Sequence, residues 1–336
     1  MSTNIVTLAV DAMGGDQGVG VIIDAVAKEM HATPILNILL FGQEDILTPL
    51  AAKSLKSFGD RVQIRHAPDV VTMNEHPRQA LRQKKNSSMR LGINAVRDGE
   101  ADGCISGGNT GALMATAHFV LRPIAGIERS AIMAPIPSES GSTWMLDLGA
   151  NAACTAEHLH QFAIMGSVFA EQVGRIEKPR VGLLNIGEEA IKGTDTIQQA
   201  NQLMQDSRLN YVGFVEANDI YSAKVDVVVT DGFTGNVALK AMEGTARFIR
   251  TVVKNHFKRN LWARLLGVLA LPALLGLRKP LDPGQYNGAS FLGLRGVVVK
   301  SHGNADAAAF RKALQTAVVE VQTQVPTVLA EALLEE

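Results

Sequence analysis

The segment Gly103-Cys104-Ile105-Ser106-Gly107-Gly108-Asn109-Thr110-Gly111-Ala112 joins a short apolar run to a glycine-rich turn and then to a helical pattern. An unbroken apolar run of this length suits a strand buried on both faces, as in a parallel sheet under helices. The same form recurs on either side. Ile5–Val10, Asn37–Phe41 and Val62–His66 precede it. Ser130–Ala134, Trp144–Leu148, Val181–Ile186, Tyr211–Val215, Asp226–Thr230 and Gly296–Lys300 follow it, with longer helical patterns between them. Strands that alternate with helices predict an α/β fold with a doubly wound, mainly parallel sheet. Residues 1–336 read as one body, whose division into two lobes the sequence leaves open. Pro280–Gly288 reads as a loop.

Three further strand ends carry a comparable turn: Asp11-Ala12-Met13-Gly14-Gly15-Asp16, Asn185-Ile186-Gly187-Glu188-Glu189 and Asp231-Gly232-Phe233-Thr234-Gly235-Asn236. Ligands of open parallel sheets bind beyond the carboxyl ends of the strands, so the four turns are expected to share one crevice.

Composition narrows the function. Apolar residues are 46% of the 336 and charged residues 19%, which is globular rather than disordered. The 32 basic and 33 acidic residues leave a net charge of -1, so no global positive field exists to hold nucleic acid, and any anion site must be local. Cys104 and Cys154 have neither disulfide-framework nor zinc spacing, which fits a reducing cytoplasm; no metal or cofactor is expected. Met1–Val10 lacks a basic n-region and reads as an opening strand rather than a secretion signal. No apolar run approaches the roughly 20 residues that span a bilayer, so the protein is expected to be soluble or peripheral.

Glycine lets the backbone approach a ligand, and the N–H groups that open a helix attract an anion. Ser106, Gly107, Gly108, Asn109, Thr110 and Gly111 therefore read as a phosphate cradle, or as a plain strand-to-helix turn. The turn is not GxxxxGK[ST], and the first turn is not GxGxxG, so neither a nucleotide P-loop nor a dinucleotide fingerprint is present there. Asp231 either caps a helix that runs from Val237 or takes part in chemistry. Lys192, a few residues past a strand end, either reaches a bound oxyanion or is a surface lysine. His302 follows a strand and stands either in an active site or on a loop.

Two stretches lack acids. Between Glu75 and Asp98 lie Arg78, Arg82, Lys84, Lys85, Arg90 and Arg97, a face for an acidic partner or a solvated helix. From Gly244 to Leu281, basic residues bracket the apolar run Leu265–Leu277, broken by Pro272. Residues 254–280 read as a protruding helical hairpin, with Trp262, Leu265, Leu266 and Leu269 set against an anionic membrane surface, a dimer partner or both.

The turns at Val10–Asp16, Ser106–Ala112 and Thr230–Asn236 closely resemble those of the PlsX phosphate acyltransferases. Glu75-His76-Pro77, Lys84–Ser88, Asn185–Glu189 with Lys192-Gly193, and Ser301-His302-Gly303 extend the resemblance over almost the whole chain. Gly107-Gly108 departs from the Ala-Gly of many members, a change that loosens the turn. The resemblance implies a fold like that of phosphotransacetylases and isocitrate or isopropylmalate dehydrogenases, and a homodimer. It also implies transfer of a long fatty acyl group from acyl carrier protein to inorganic phosphate. The acyl phosphate formed would feed a membrane glycerol-3-phosphate acyltransferase, at the inner face of the cytoplasmic membrane.

A thioester is already activated, its thiol has a pKa of about 8.5, and phosphate is an anion at neutral pH. The chemistry therefore demands no covalent nucleophile, and both cysteines are expected to be dispensable for turnover. The difficulty is to bring an anion to a carbonyl that itself becomes negative, which N–H donors and a lysine answer. On this reading Ser106–Gly111 and Lys192 hold phosphate, while the turns with Asp11, Asp231 and Asn236 polarise the carbonyl; the loop assignments are exchangeable. The competing readings are an isopropylmalate-type dehydrogenase and a non-catalytic lipid- or carrier-binding scaffold.

Overall fold

The computed structural model describes residues 5–139, 141–270 and 283–335. Eleven strands among them form one sheet. They are β1 (Val6–Asp11), β2 (Leu36–Gly42), β3 (Val62–His66), β4 (Gly103–Ser106), β5 (Ala131–Ser138), β6 (Gly141–Leu146), β7 (Val181–Leu184), β8 (Tyr211–Val215), β9 (Val227–Val229), β10 (Ala289–Leu292) and β11 (Val297–Lys300). Helices α1 (Val19–Ala32), α2 (Glu44–Ser54), α3 (Pro77–Gln83), α4 (Ser88–Arg97), α5 (Thr110–Leu121) and α6 (Ala156–Gln172) precede α7 (Asp195–Gln205) and α8 (Gly232–Lys258). Then come α9 (Leu261–Leu269), α10 (Ala307–Gln322) and α11 (Val325–Glu335).

The strand order is β3-β2-β1-β4-β11-β10-β5-β6-β9-β7-β8. Seven pairings are parallel, and the three antiparallel ones, β11–β10, β10–β5 and β5–β6, lie together at the centre. The mainly parallel sheet expected from the sequence is present, with a reversal inside it. β3, β2, β1, β4, β11 and β5 run one way, and β10, β6, β9, β7 and β8 run the other. The carboxyl ends of β4 and β11 therefore lie at the opposite end of the strands from those of β6 and β9.

The apolar strand runs are buried on both faces. Leu8, Val10 and Ile105 pack with α1 and α10 residues such as Val26 and Leu314, while Ala9 and Cys104 pack with Ile93 and Leu113 of α4 and α5. A third cluster around Phe162 and Phe169 of α6 fills the other half beneath β6, β7 and β9.

One buried acid stands outside the apolar logic of these three clusters. Glu320 of α10 is 2% exposed and takes a hydrogen bond from the Ser290 hydroxyl of β10, also buried. Burial pushes its carboxyl up to about 8. The neutral acid is the form the fold accommodates, so stability is highest below the ordinary carboxylate pKa and falls as pH climbs toward about 8, by up to about 1.4 kcal/mol per pH unit. Glu320→Gln should flatten that slope. Urea midpoints compared at about pH 6 and about pH 8 test this, and an unchanged wild-type midpoint would contradict it.

Candidate active site

The turn after β4 is built by an acid it does not expose. Asp11, at the end of β1, is buried; its carboxylate accepts from the Ser88 hydroxyl at 2.6 Å, the Ser106 hydroxyl at 2.6 Å and the Met13 amide at 3.2 Å. Burial holds that carboxyl above its usual range against these hydrogen bonds. Ser106 in turn accepts from the Gly108 amide at 3.0 Å. The two glycine turns touch so closely that a Cβ on Gly14 would lie 2.7 Å from the Gly108 nitrogen and 2.6 Å from Asp11 Oδ2. Asn109 caps α5 by accepting from the Ala112 amide at 3.0 Å, and its own amide donates to the Met73 and Glu75 carbonyls at 2.8 and 2.9 Å. Among the described residues, the Thr110 and Gly111 amides that open α5 meet no backbone carbonyl.

Beside this turn, β11 ends in Lys300. Its side chain is buried, and its Nζ donates to the Gly107 carbonyl at 3.3 Å and to the Ser301 carbonyl. Burial brings the ammonium down to about 8, against the pull of Asp11 and Asp16. Asn287 pins the next residues: its amide donates to Ser301 Oγ and to the Ala309 carbonyl, each at 2.8 Å, and its oxygen accepts from the His302 amide at 2.8 Å. The His302 imidazole is held below its ordinary pKa by burial and by the nearby Lys300 and Lys240, with Glu243 opposing. It is thus the neutral base at neutral pH, while Lys300 carries the charge.

At the other end of the strands, Asp147 organises a second turn. One carboxylate oxygen accepts from the amides of Ile132, Gly149 and Ala150 at 3.0, 3.2 and 3.0 Å. The other accepts from the Asn151 amide at 2.7 Å and its side-chain nitrogen at 2.9 Å. The start of α8 lies directly on this turn: the Gly232 amide donates to the Asn151 carbonyl at 2.8 Å, and a Cβ on Gly235 would overlap the Asp147 carbonyl oxygen. Only glycine permits that approach. α8 then runs back along the sheet, so Lys240 and Glu243 come up to His302.

Between α5 and α8, over the central strands, lies a cavity of about 1080 Å³. Met114, Phe119, Ile132, Ile136, Leu239 and Ile249 give it apolar walls. Thr110, Gly111, Lys300, Ser301 and His302 also line it, and so do Gly149, Asn151 and Asn236.

Of the residues singled out in the sequence, the structure brings Thr110, Gly111, Asn236 and His302 to this cavity. Ser106, Gly107 and Gly108 are buried behind it, and Asn109 braces it. Asp11 is behind the turn, not in the cavity wall. Asp231 caps α8, accepting from the Thr234 amide at 2.8 Å and hydroxyl at 2.9 Å, and that helix starts at Gly232 rather than Val237 because Gly232 and Gly235 pack onto the Asp147 turn. Lys192 is not in the cavity wall. It pairs with Glu189 at 2.7 Å beyond β7, six strands from β4, or about 29 Å across the sheet. The four turns accordingly do not meet at one point, because the sheet reverses between them: the Ser106–Gly111 turn lines one end of the cavity with the Asp11–Asp16 turn packed behind it, Asn236 of the third turn lines the cavity wall, and the Asn185–Glu189 turn lines none of it.

Arg78, Arg82 and Lys85 stand exposed on or just beyond α3, whose Leu81 reaches the cavity wall; Lys84 donates to the Val70 carbonyl at 3.2 Å. In the expected hairpin, α8 continues unbroken to Lys258 and α9 follows, with Leu261, Trp262, Leu265, Leu266 and Leu269 exposed. Residues 271–280 of that hairpin lie outside the described residues. No described helix is long and apolar enough to cross a membrane. Sequence reading missed Lys300, Asn287 and Asp147. The last had a signal, since Leu146-Asp147-Leu148-Gly149 repeats the pattern of an acid at a strand end before glycine.

Residues 6–328 match the family described as "Fatty acid synthesis protein". The chain is 53% identical to a phosphate acyltransferase of Alkalilimnicola ehrlichii over 98% of its own length and 97% of that protein's. It is 50% identical to a phosphate acyltransferase of Methylococcus capsulatus over 97% and 96%. Among solved structures, a phosphotransacetylase from Streptococcus pyogenes superposes with a TM-score of 0.64 at 16% identity, covering 96% of this chain and 95% of that one. A 4-hydroxythreonine-4-phosphate dehydrogenase from Klebsiella pneumoniae gives 0.53 at 12% identity, covering 96% and 99%. These two share the fold, which bears out the fold expected from the sequence. With about half of its residues shared with curated relatives over nearly its full length, the chain belongs to the PlsX-type phosphate acyltransferases, enzymes of fatty acid and phospholipid synthesis.

Proposed function

We propose that this enzyme moves a long-chain fatty acyl group from acyl carrier protein to inorganic phosphate, by direct attack and without an acyl-enzyme, giving acyl phosphate for phospholipid synthesis. The observation that carries the reading is the cavity itself: a long apolar wall leads to helix-opening amides and a buried lysine. The acyl chain lies along Met114, Ile132, Ile136 and Leu239. Phosphate sits against the free amides of Thr110 and Gly111, and Lys192, paired with Glu189 outside the cavity wall, is not beside it. Neither thiol is a ready nucleophile. Burial pushes the Cys154 thiol up to about 11 and raises Cys104 further. Release of free carrier protein that depends on phosphate, with acyl phosphate formed in equal amount, tests the reading. Release at the same rate without phosphate would sink it.

Acyl carrier protein is acidic and docks on the basic face at α3, beside the cavity. Arg82→Glu with Lys85→Glu should raise KM for the carrier-bound donor about tenfold and weaken its salt dependence, with kcat little changed. Steady-state kinetics at several ionic strengths check this; KM that stays at the wild-type value excludes docking there. The apolar residues that α8 exposes, among them Phe233, Val237, Phe248 and Val252, are covered in a homodimer. α9 rests on the anionic inner surface of the membrane, near the glycerol-3-phosphate acyltransferase that takes the product. Leu265→Glu with Leu269→Glu should abolish flotation with anionic liposomes, and equal flotation of variant and wild type would refute surface binding.

A further inference from the structure

We propose that Lys300 is the general acid of the reaction, delivering its ammonium proton to the sulfur of the departing thiol; the proposal rests on the acyl-to-phosphate reading above. The lysine is buried at the polar end of the cavity, and two of its three N–H donors are taken by the carbonyls of Gly107 and Ser301. The third is left for a group in the cavity. Within an apolar enclosure, a thiolate is costly to release, because burial disfavours the charged form. A proton donor is therefore needed at the moment the C–S bond breaks.

The neighbours of Lys300 decide which group serves. Asp11 of β1 and Asp16 of the following turn favour its charge, while Lys240 of α8 disfavours it. His302, flanked by Glu243 and Lys240 of α8, is kept neutral and has no proton to spare at neutral pH. Burial brings Lys300 to about 8, near neutral operating pH, so it is protonated there yet gives its proton up more readily than a solvated lysine.

The step balances without a co-reactant. A phosphate oxygen bonds to the carbonyl carbon, and the π pair moves to the carbonyl oxygen. On collapse the C=O re-forms, the C–S bond breaks with its electron pair on sulfur, and the Lys300 proton joins that sulfur. The neutral amine then recovers the hydrogen that the new acyl phosphate sheds. Hydrogen phosphate dianion and thioester have become acyl phosphate dianion and thiol.

The test compares two donors, an acyl pantetheine thioester and the same acyl group on an acidic aryl thiol that leaves unaided. For wild type, kcat with the pantetheine donor should fall as pH rises past about 8, where Lys300 loses its proton, while kcat with the aryl donor stays flat. Lys300→Met and Lys300→Arg should each slow the pantetheine donor about 100-fold or more and the aryl donor by less than about threefold. Arginine keeps the charge yet holds its proton, so it separates proton transfer from charge. Equal losses with both donors, a rise in KM for phosphate at unchanged kcat, or matching wild-type pH profiles for the two donors would overturn the Lys300 assignment. A wild-type enzyme that releases no thiol in response to phosphate from either donor would instead overturn the acyl-to-phosphate reading.

Discussion

Asp147→Leu is expected to lower stability by about 3–5 kcal/mol, because it strips the acceptor from five buried or half-buried N–H groups at once. Each orphaned donor costs about 1–3 kcal/mol, and water reaching the half-buried Gly149 and Ala150 amides keeps the total below the sum. For a 336-residue chain a loss of about 4 kcal/mol lowers Tm by about 6 °C. Activity should fall with it, since the turn that Asp147 holds seats Gly232 and Gly235 and so aims Asn236, Lys240 and Glu243. Asp147→Asn keeps the shape and one acceptor oxygen and should lose less. Thermal melts of the three proteins decide it; a Tm for Asp147→Leu within about 1 °C of wild type would mean that the turn holds without its carboxylate.

Gly14→Ala should cut turnover about 100-fold with the fold retained. The added methyl meets Asp11 Oδ2 at 2.6 Å and the Gly108 nitrogen at 2.7 Å, and neither can withdraw: Asp11 is tied to Ser88 and Ser106, and Gly108 is main chain. What yields is the spacing between the two turns, and with it the register of Thr110, Gly111 and Lys300. A displacement of about 1 Å at such a site is worth about 100-fold in rate. Gly20→Ala is the matched control. That glycine lies in α1 with nothing within 4 Å of its added Cβ, so the change should leave kcat alone and raise helix stability by up to about 1 kcal/mol. Equal kcat for the two variants would show that the contact between the turns is not under constraint.

The strands were legible because their signal is local: runs such as Ile5–Val10 and Gly103–Ser106 are apolar without alternation, and burial on both faces follows. β10 was not legible. Its four residues Ala-Ser-Phe-Leu include a serine whose partner, Glu320, is thirty positions away, and they directly follow a stretch that reads as loop. Strand direction has no local signature at all, since pairing alone sets it, and so the reversal at the centre of the sheet was invisible. The same gap explains the lysines. Lys192 stands a few residues past a strand and Lys300 at the end of one, but β7 lies near one margin of the sheet and β11 beside β4, and only the second position is walled in. The sequence reads the glycine turns as backbone brought close to a ligand; in the structure they also press on one another and on Asp147, contacts visible only in three dimensions.

The central pair β10 and β11 also dictates how the molecule is born. β4 and β5 are translated early, yet the strands that join them span residues 289–300, near the end of the chain. At about 5–20 residues per second, synthesis leaves both early strands half-clothed for on the order of ten seconds or more. During that interval each early strand keeps one edge unpaired, the kind of edge along which nascent chains associate, so β10 and β11 close the sheet only as synthesis ends.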